Sequence, residues 1–162
     1  MTGFSDIDTV WDIAESIQTC MLTTLSSGQL RARPMKAIPD RDQNCLWFIT
    51  DQRGAKDDEI RAAPEVCLAF ADTRSNTFLS MTGRAEMMRD SSKARDLWST
   101  EAQAWWPKGP ADRDVRVLHV IPESAEYWDT RGNSIVVALK LAAARLSGKP
   151  PDLGENKKVP LR

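Results

Sequence analysis

The chain has 162 residues, and its 22 lysines and arginines balance 23 aspartates and glutamates, giving a formal net charge of −1 at pH 7. This length suits one domain with a buried core, so residues 1–162 are interpreted as a single domain whose tail, from about residue 149, is extended. The balanced charge argues against non-specific nucleic-acid binding, and no apolar run approaches the roughly 20 residues of a membrane span.

The opening segment is polar and acidic and lacks the apolar core of a secretion signal, which favours a cytoplasmic location. Its apolar residues recur at the spacing of an amphipathic helix: Ile7, Val10, Trp11, Ala14 and Ile17. Ser5 or Asp6 can cap this first helix, and acidic residues suit its first turn.

Two strand-like segments follow, "TCMLTTL" and "LRARPMKAI", joined by the turn residues of "SSGQ". So short a connection predicts an antiparallel hairpin. A second turn, "PDRDQN", leads to a third strand, "CLWFIT". Pro34 lies inside the second strand, and because proline cannot donate a ladder hydrogen bond it marks an edge, a bulge or a local exit from pairing.

The remaining segments alternate between helix and strand patterns. A short helix is predicted in "GAKDDEIRAAP", followed by the strands "EVCLAFAD" and "TFLSMTGRAEMM", the second with a bulge at Gly83. "DSSKARDLWSTEAQAWW" reads as one helix that stops at Pro107, and "VRVLHVI" as a further strand. "SIVVALKLAAARLSG" is the last predicted helix, ended by Gly148.

This order of elements decides the fold class. Strands that follow one another through tight turns are antiparallel, and the chain lacks the βαβ alternation of a parallel sheet. About six such strands in a small domain predict a mainly β fold with some α-helix: an antiparallel split or closed β-barrel with flanking helices.

Cysteine and histidine usage bears on cofactor chemistry. Cys20, Cys45 and Cys67 lie in separate apolar segments without a Cys-x-x-Cys pair, which predicts buried, reduced thiols and again favours the cytoplasm. The lone histidine, His119, lies on an apolar strand, where a core role is favoured over a catalytic one. No metal site is predicted.

The second strand carries an unusual concentration of positive charge. Arg31 and Arg33 project from the same face of a strand, so they repel each other unless an anion or an acidic partner lies opposite. One interpretation is an exposed edge strand whose charges oppose aggregation. The other is a site for an anionic ligand.

Lys56 stands at the predicted start of the short helix, where free N–H groups and the helix dipole favour anions. If the second and third strands pair, this helix start lies near the cationic strand, and Lys56 and the arginines could hold a phosphate. Main-chain groups left unpaired beside Pro34 could then bond a flat heterocycle. An ordinary solvated lysine is the alternative, and Asp57, Asp58 and Glu59 are expected to form a solvated first turn.

In their order and spacing, these segments resemble the pyridoxamine 5′-phosphate oxidase-like split barrels, and most closely the bacterial general stress protein family. The motifs "ARPM", "WFIT" with the following Lys56, and "AEYWD" carry most of the resemblance, which extends from about Val10 to "KKVPL". It implies a homodimer with a flavin at the subunit interface: FMN, with FAD as the alternative.

The resemblance also implies which residues hold the flavin. The strand "RARPM" would lie along the isoalloxazine ring, its arginines and Lys56 would hold the phosphate, and the residues before the loop would flank the ring and ribityl chain. The "WWPKG" loop and a late tryptophan would be contributed by the partner subunit. The implied site is Arg31, Arg33, Pro34, Met35, Phe48, Ile49, Thr50, Lys56, Trp106, Pro107 and Trp128.

The chain departs from the true oxidases in its substrate residues. The C-terminus lacks their Arg-x-His pair, Ala55 replaces a second basic residue at the helix start, and Lys36 alone stands where a substrate-phosphate lysine occurs. Pyridoxamine phosphate oxidation is therefore not expected, and no catalytic residue is assigned. The remaining readings are a flavin-dependent oxidoreductase with an unknown small-molecule redox partner, a non-catalytic flavin-binding stress or sensor protein, and a barrel that binds a deazaflavin or a haem with His119 as its ligand.

Overall fold

The computed structural model describes residues 5–53, 56–129, 134–152 and 154–161. Its helices in these ranges are α1 (Asp6–Ile17), α2 (Lys56–Ala62), α3 (Ser91–Asp96), α4 (Thr100–Trp105) and α5 (Ser134–Ser147). Its strands there are β1 (Thr19–Ser26), β2 (Gln29–Lys36), β3 (Ile38–Asp40), β4 (Cys45–Asp51), β5 (Glu65–Asp72), β6 (Thr77–Met88), β7 (Val115–Asp129) and β8 (Glu155–Pro160).

The eight strands form one antiparallel sheet in the order β2-β1-β5-β6-β7-β4-β3, and β8 pairs with the second half of β7. β2 and β3 stand at opposite ends of this order, yet Ala37 alone separates them in the chain. The sheet must therefore curl until its two ends meet at Ala37. The predicted antiparallel split barrel with flanking helices is confirmed, with two strands more than expected.

The core lies between the inner faces of the strands and is closed by α1. Ser5 caps α1 by accepting a hydrogen bond from the Asp8 amide at 3.1 Å, as the sequence predicts. The apolar stripe of α1 packs Val10, Trp11 and Ala14 into the same cluster as the strand residues. This first helix is confirmed.

Gly83 marks a bulge where β6 crosses β7. The register between these strands shifts between Thr82 and Gly83, and Gly83 lies opposite Pro122. A Cβ atom at Gly83 would stand 2.2 Å from the carbonyl oxygen of Ile121, so only glycine fits there. The bulge also explains how β7 continues through Pro122, which the sequence interpretation placed beyond the end of a shorter strand.

Two further predictions about elements were wrong or incomplete. The segment predicted as a single helix is two short helices, because Leu97 ends α3 and the Ser99 hydroxyl caps α4 by accepting from the Ala102 amide at 3.1 Å. Within the tail, residues 155–160 join the sheet as β8, a strand that the sequence did not predict.

The prediction of buried thiols holds for two of the three cysteines. Cys20 and Cys45 are buried, Cys67 is half-buried, and all three are free. Burial raises the pKa of the Cys20 thiol to about 12, so it stays protonated at neutral pH. Among the described residues, no helix combines the length and the apolar character that a membrane crossing requires.

Candidate anion and cofactor site

The barrel opens between β2 and β4. β3 pairs with β4 only from Cys45 to Trp47, so the rest of that edge, residues 48–51, has no ladder partner within the described chain. β2 pairs with β1 along one edge and leaves its other edge unpaired. We call the gap between these two free edges the split. The main-chain N–H and C=O groups along these two edges are available to a planar ligand.

The assumption that β2 and the third predicted strand, β4, pair with each other was wrong. The Ala37 amide donates to the carbonyl of Gln18 at 2.8 Å, which extends the β1–β2 register by one pair, and after Ala37 the chain passes into β3, which pairs with β4. β2 and β4 approach each other without hydrogen bonding. Of the three positions that Pro34 indicated, an edge, a bulge or a local exit from pairing, the structure shows the edge: Pro34 lies opposite Met21 on the terminal strand of the sheet.

Arg31 and Arg33 meet an acidic partner, Glu59 of α2. Arg33 Nη2 donates to Glu59 Oε2 at 2.8 Å, and Arg31 Nη1 lies 3.6 Å from Glu59 Oε1. The Thr24 hydroxyl of β1 donates to the same Oε2 at 2.6 Å. Helix α2 is thereby fastened to both strands of the hairpin beside the split.

Glu59 stays ionised in this position. Its side chain is only 4% exposed. The hydrogen bond from Thr24, and then the bond and charge of Arg33, hold the pKa of Glu59 below its ordinary value despite burial. The expectation that Glu59 is solvated was wrong, whereas Asp58 is exposed as expected.

Arg33 has hydrogen-bonding capacity to spare. Its Nη1 is buried and has no hydrogen-bond partner among the described residues. A buried donor without an acceptor costs about 1–3 kcal/mol, and a charged donor costs more. An anion placed at Nη1 would remove that cost, so this atom fits a ligand with oxygen acceptors.

Lys56 adds to the same positive region. It is the first residue of α2, half-buried, and stands three residues before Glu59, so both lie on the same side of the helix. Counted among these four residues alone, the three positive charges of Arg31, Arg33 and Lys56 exceed the one negative charge of Glu59 by two. A phosphate monoester carries about −1.5 to −2 near pH 7.

The helix start itself contributes less than the sequence suggested. α2 has seven residues, and its first turn contains Asp57 and Asp58 besides Glu59. These carboxylates oppose the favourable field of the backbone amides. Asp57 is paired with Arg61 at 3.1 Å. Attraction for an anion therefore rests on the arginines and on Lys56.

The predicted ring-flanking residues of β4 point in alternate directions. Phe48 is 0% exposed in the core, and Thr50 is also buried, so a ligand in the split could reach only their main-chain atoms. Ile49 points outward and packs in a second apolar cluster with Val117 and Trp106. On β2, Met35 packs against the main core.

The predicted loop residues lie beside β4 of their own chain. Trp106 Nε1 donates to Asp51 Oδ2 at 3.3 Å, at the last residue of the free edge of β4. Pro107 is exposed, and its carbonyl accepts from Gln103 at 2.9 Å. Whether either residue contacts a ligand in the partner subunit stays a prediction.

Trp128 lies on the outer face of the sheet, 37% exposed. Three strands separate β7 from β2, and β7 pairs with β4, the other border of the split, only through residues 115–120, so Trp128 lies away from the split of its own chain. Its cross-strand neighbour is Phe78 of β6, which the sequence analysis did not single out. In "TFLSMTG", Leu79 and Met81 alternate with polar residues. Because side chains alternate between the two faces of a strand, this pattern could have indicated that Phe78 faces outward with Trp128.

Two other candidate groups are occupied elsewhere. Lys36 Nζ is 2.5 Å from Glu101 Oε2 of α4. His119 stacks on Trp47 with ring centroids 4.2 Å apart, and burial lowers its pKa, so the imidazole is neutral at pH 7. The packing role predicted for His119 agrees with this stacking.

A separate cleft of about 360 Å³ lies on the outer face where β6, β7 and β8 meet. The hydroxyls of Thr82 and Ser124 within it are 2.7 Å apart and bond each other. Its charged lining residues are Glu126 and Lys158. Two strands, β1 and β5, separate the cleft from β2, which carries Arg31 and Arg33.

Known proteins share both the sequence pattern and the fold. Residues 5–152 match the family described as pyridoxamine 5′-phosphate oxidase like. Protein bli-3 of Neurospora crassa is 23% identical over 150 residues, covering 86% of this chain and 72% of that protein. The likeness is therefore not confined to bacterial proteins.

Two solved structures are similar along most of the chain. A general stress protein 26 from Jannaschia sp. CCS1 is 30% identical, with a TM-score of 0.75 over 93% of this chain and 95% of that one. The general stress FMN/FAD binding protein of Xanthomonas citri is 25% identical, with a TM-score of 0.68 over 78% and 89%. This chain accordingly belongs to the pyridoxamine 5′-phosphate oxidase-like family and resembles its general stress proteins.

Proposed function

We propose that this protein binds FMN in the split, with the phosphate at Arg33 and Lys56. The observation that carries the proposal is the buried Nη1 of Arg33, a charged donor without an acceptor beside two unpaired strand edges. A phosphate supplies several strong acceptors, and the edges supply main-chain groups for a heterocycle with donors and acceptors on its rim. The family membership and the name of the Xanthomonas citri protein support the same ligand.

FMN fits the charge of the site better than FAD does. The phosphate of FMN is a terminal monoester, whose charge nearly matches the surplus of +2 from Arg31, Arg33, Lys56 and Glu59. In FAD the corresponding phosphate is joined to a second phosphate that carries the nucleotide, so the negative charge is spread over two groups and the ligand is bulkier. FAD is therefore the weaker candidate.

A bound flavin would supply redox chemistry, and this chain would supply binding and orientation. The free edges of β2 and β4 would hold the rim of the ring in the plane of the sheet. The backbone of Pro34 has no N–H, so carbonyl acceptors outnumber amide donors on that part of the edge. Arg33 and Lys56 would fix the opposite end of the ligand.

A homodimer would complete the site. The outer face of the sheet carries a row of small, uncharged residues across six strands: Ala32, Thr23, Cys67, Thr82, Ser124 and Pro160. Beside it, Met21, Leu25 and Leu30 are exposed on the hairpin, with Leu30 at 77%. An exposed face of this kind suits a second copy, which would bring Trp128 and Phe78 towards the split of its neighbour.

The substrate is not expected to be pyridoxamine phosphate. Lys36, which stands where a substrate-phosphate lysine occurs, is already paired with Glu101. His119 is held against Trp47 and cannot serve as a proton donor to a ligand in the split. We propose a flavin-dependent oxidoreductase acting on another small molecule.

A non-catalytic flavin-binding stress or sensor protein is the second candidate. It is favoured by the side chains around the split, which among the described residues are cations, an ionised carboxylate and apolar groups. None of these groups is an evident proton donor to a bound ligand. Anaerobic mixing of the flavin-loaded protein with NADH or NADPH separates the two candidates, because only an oxidoreductase of this type would bleach the flavin absorbance at a catalytic rate.

The first test is a titration of FMN with the purified protein, followed by quenching of flavin fluorescence. We expect saturable binding at one FMN per chain, with a dissociation constant of about 1 μM or lower, since several charge-assisted hydrogen bonds act together. An unchanged fluorescence up to about 100 μM protein would refute the proposed function.

A further inference from the structure

The most unusual feature of the cationic region is a carboxylate at its centre. Glu59 is buried, charged, and placed where it would repel a bound phosphate. Burying a charge is unfavourable unless its partners are held in good geometry. A carboxylate in an anion site therefore calls for a role that outweighs the repulsion.

The geometry around Glu59 suggests that role. One oxygen, Oε2, accepts from Thr24 Oγ1 at 2.6 Å and from Arg33 Nη2 at 2.8 Å. The other oxygen, Oε1, lies 3.6 Å from Arg31 Nη1, an ion pair without a hydrogen bond. A guanidinium is planar, so a bond at Nη2 fixes the direction of Nη1 as well.

We propose that Glu59 is a positioning residue that holds Arg33 ready for the flavin phosphate, with Thr24 holding Glu59 in turn. This inference rests on the proposed function. A free arginine side chain has many rotamers, and ordering one upon binding reduces affinity. With Nη2 held by Glu59, Nη1 is presented in the buried position where it now lacks an acceptor. The repulsion of one carboxylate is outweighed by the prior ordering of the arginine.

Two other roles for Glu59 make different predictions. A purely structural role, fastening α2 to the hairpin, would affect every ligand of the split alike. A purely electrostatic role, weakening an overly cationic site, would mean that removing the charge tightens phosphate binding. Only a positioning role selectively weakens binding of the phosphate-bearing ligand.

The test compares FMN with riboflavin, which lacks the phosphate, on wild type and on Glu59→Gln. We expect FMN to bind about tenfold more weakly to Glu59→Gln, the cost of losing one charge-assisted contact, while riboflavin affinity changes less than about twofold. Thr24→Val, which removes the hydroxyl but keeps the shape, should show a smaller loss in the same direction. Thr24→Ser, which keeps the hydroxyl, should show the same ratio of FMN affinity to riboflavin affinity as wild type.

These measurements distinguish a failure of the inference about Glu59 from a failure of the proposed function. Equal losses for FMN and riboflavin, or tighter FMN binding by Glu59→Gln, would overturn the inference while leaving FMN binding by wild type intact. Wild type that binds neither ligand would overturn the proposed function and this inference with it. If Glu59→Gln does not fold, the Thr24→Val and Thr24→Ser pair decides, and equal FMN-to-riboflavin ratios in both would overturn the inference.

A second readout needs no flavin. The Nε–Hε resonance of Arg33 in the ligand-free protein should be sharp and protected from exchange in wild type and in Thr24→Ser. It should broaden or vanish in Thr24→Val. Equal line width and equal exchange protection of this resonance in all three proteins would show that the network of Thr24 and Glu59 does not position Arg33.

Discussion

Arg33 shows how much a single side chain depends on a partner that is distant in sequence. Two arginines on one face of a strand indicated that an anion or an acidic group must lie opposite, and Glu59 is that group. Its identity could not be predicted, because "KDDE" has the composition of a solvated helix start. Only the packing of α2 on β1 turns Glu59 inward while Asp58 remains exposed.

The ionisation of Glu59 predicts a dependence of stability on pH. The pKa of Glu59 in the folded protein is below its ordinary value of 4.5, so its contribution to stability is fully present above that pH. The contribution is lost as the pH falls through the folded-state pKa. We expect the free energy of unfolding to fall more steeply below about pH 4.5 in wild type than in Glu59→Gln, as measured by urea denaturation between pH 3 and pH 7.

Glu86→Gln provides the matched control, since it makes the same chemical change on an exposed position of β6. The pH dependence of its free energy of unfolding should remain close to that of wild type. Parallel profiles for wild type and Glu59→Gln would contradict the assignment of Glu59 as a buried, ionised carboxylate.

At the scale of elements, local signals predicted most helices and strands, and long-range pairing explains the exceptions. The capping residue Ser5 and the turn glycine Gly28 act within a few residues, and α1 and the first hairpin formed as predicted. The break between α3 and α4 depends on Ser99, whose capping role an otherwise continuous helical pattern conceals. β8 has a polar sequence, and it is a strand because β7 offers it an edge.

The β1–β2 hairpin carries the test of the proposed homodimer. Leu30 is the most exposed of its three outward apolar residues, so Leu30→Glu should place a charge in the proposed interface. We expect this variant to shift the protein from dimer to monomer in sedimentation velocity at micromolar concentration, and to weaken FMN binding as the interface is lost.

Gln43→Glu adds the same charge in the exposed turn before β4 and should leave the dimer unchanged. Wild type that sediments as a monomer would refute the proposed interface. A Leu30→Glu dimer as stable as wild type would also count against this face of the hairpin.

For the whole molecule, the closure of the barrel is what places the candidate site. The sequence predicted an antiparallel barrel and supplied its cations, but it could not show that the chain joins the two ends of the sheet at Ala37. That junction separates β2 from β4 and leaves the split between them, whereas simple pairing of the two strands would have left no room for a ring. The residues that a second copy would contribute to the proposed site could not be identified from the pattern of one chain.

The central claim is that the cations beside the split recognise a phosphate. Isothermal titration calorimetry of FMN and riboflavin should be carried out on wild type, on the double variant Arg33→Ala/Lys56→Ala and on Arg74→Ala, a control in an exposed turn. Wild type and the control should bind FMN at least about tenfold more tightly than riboflavin, because the phosphate adds charge-assisted bonds, and the double variant should lose that preference. Equal affinity of wild type for the two ligands, or an undiminished preference in the double variant, would contradict the account.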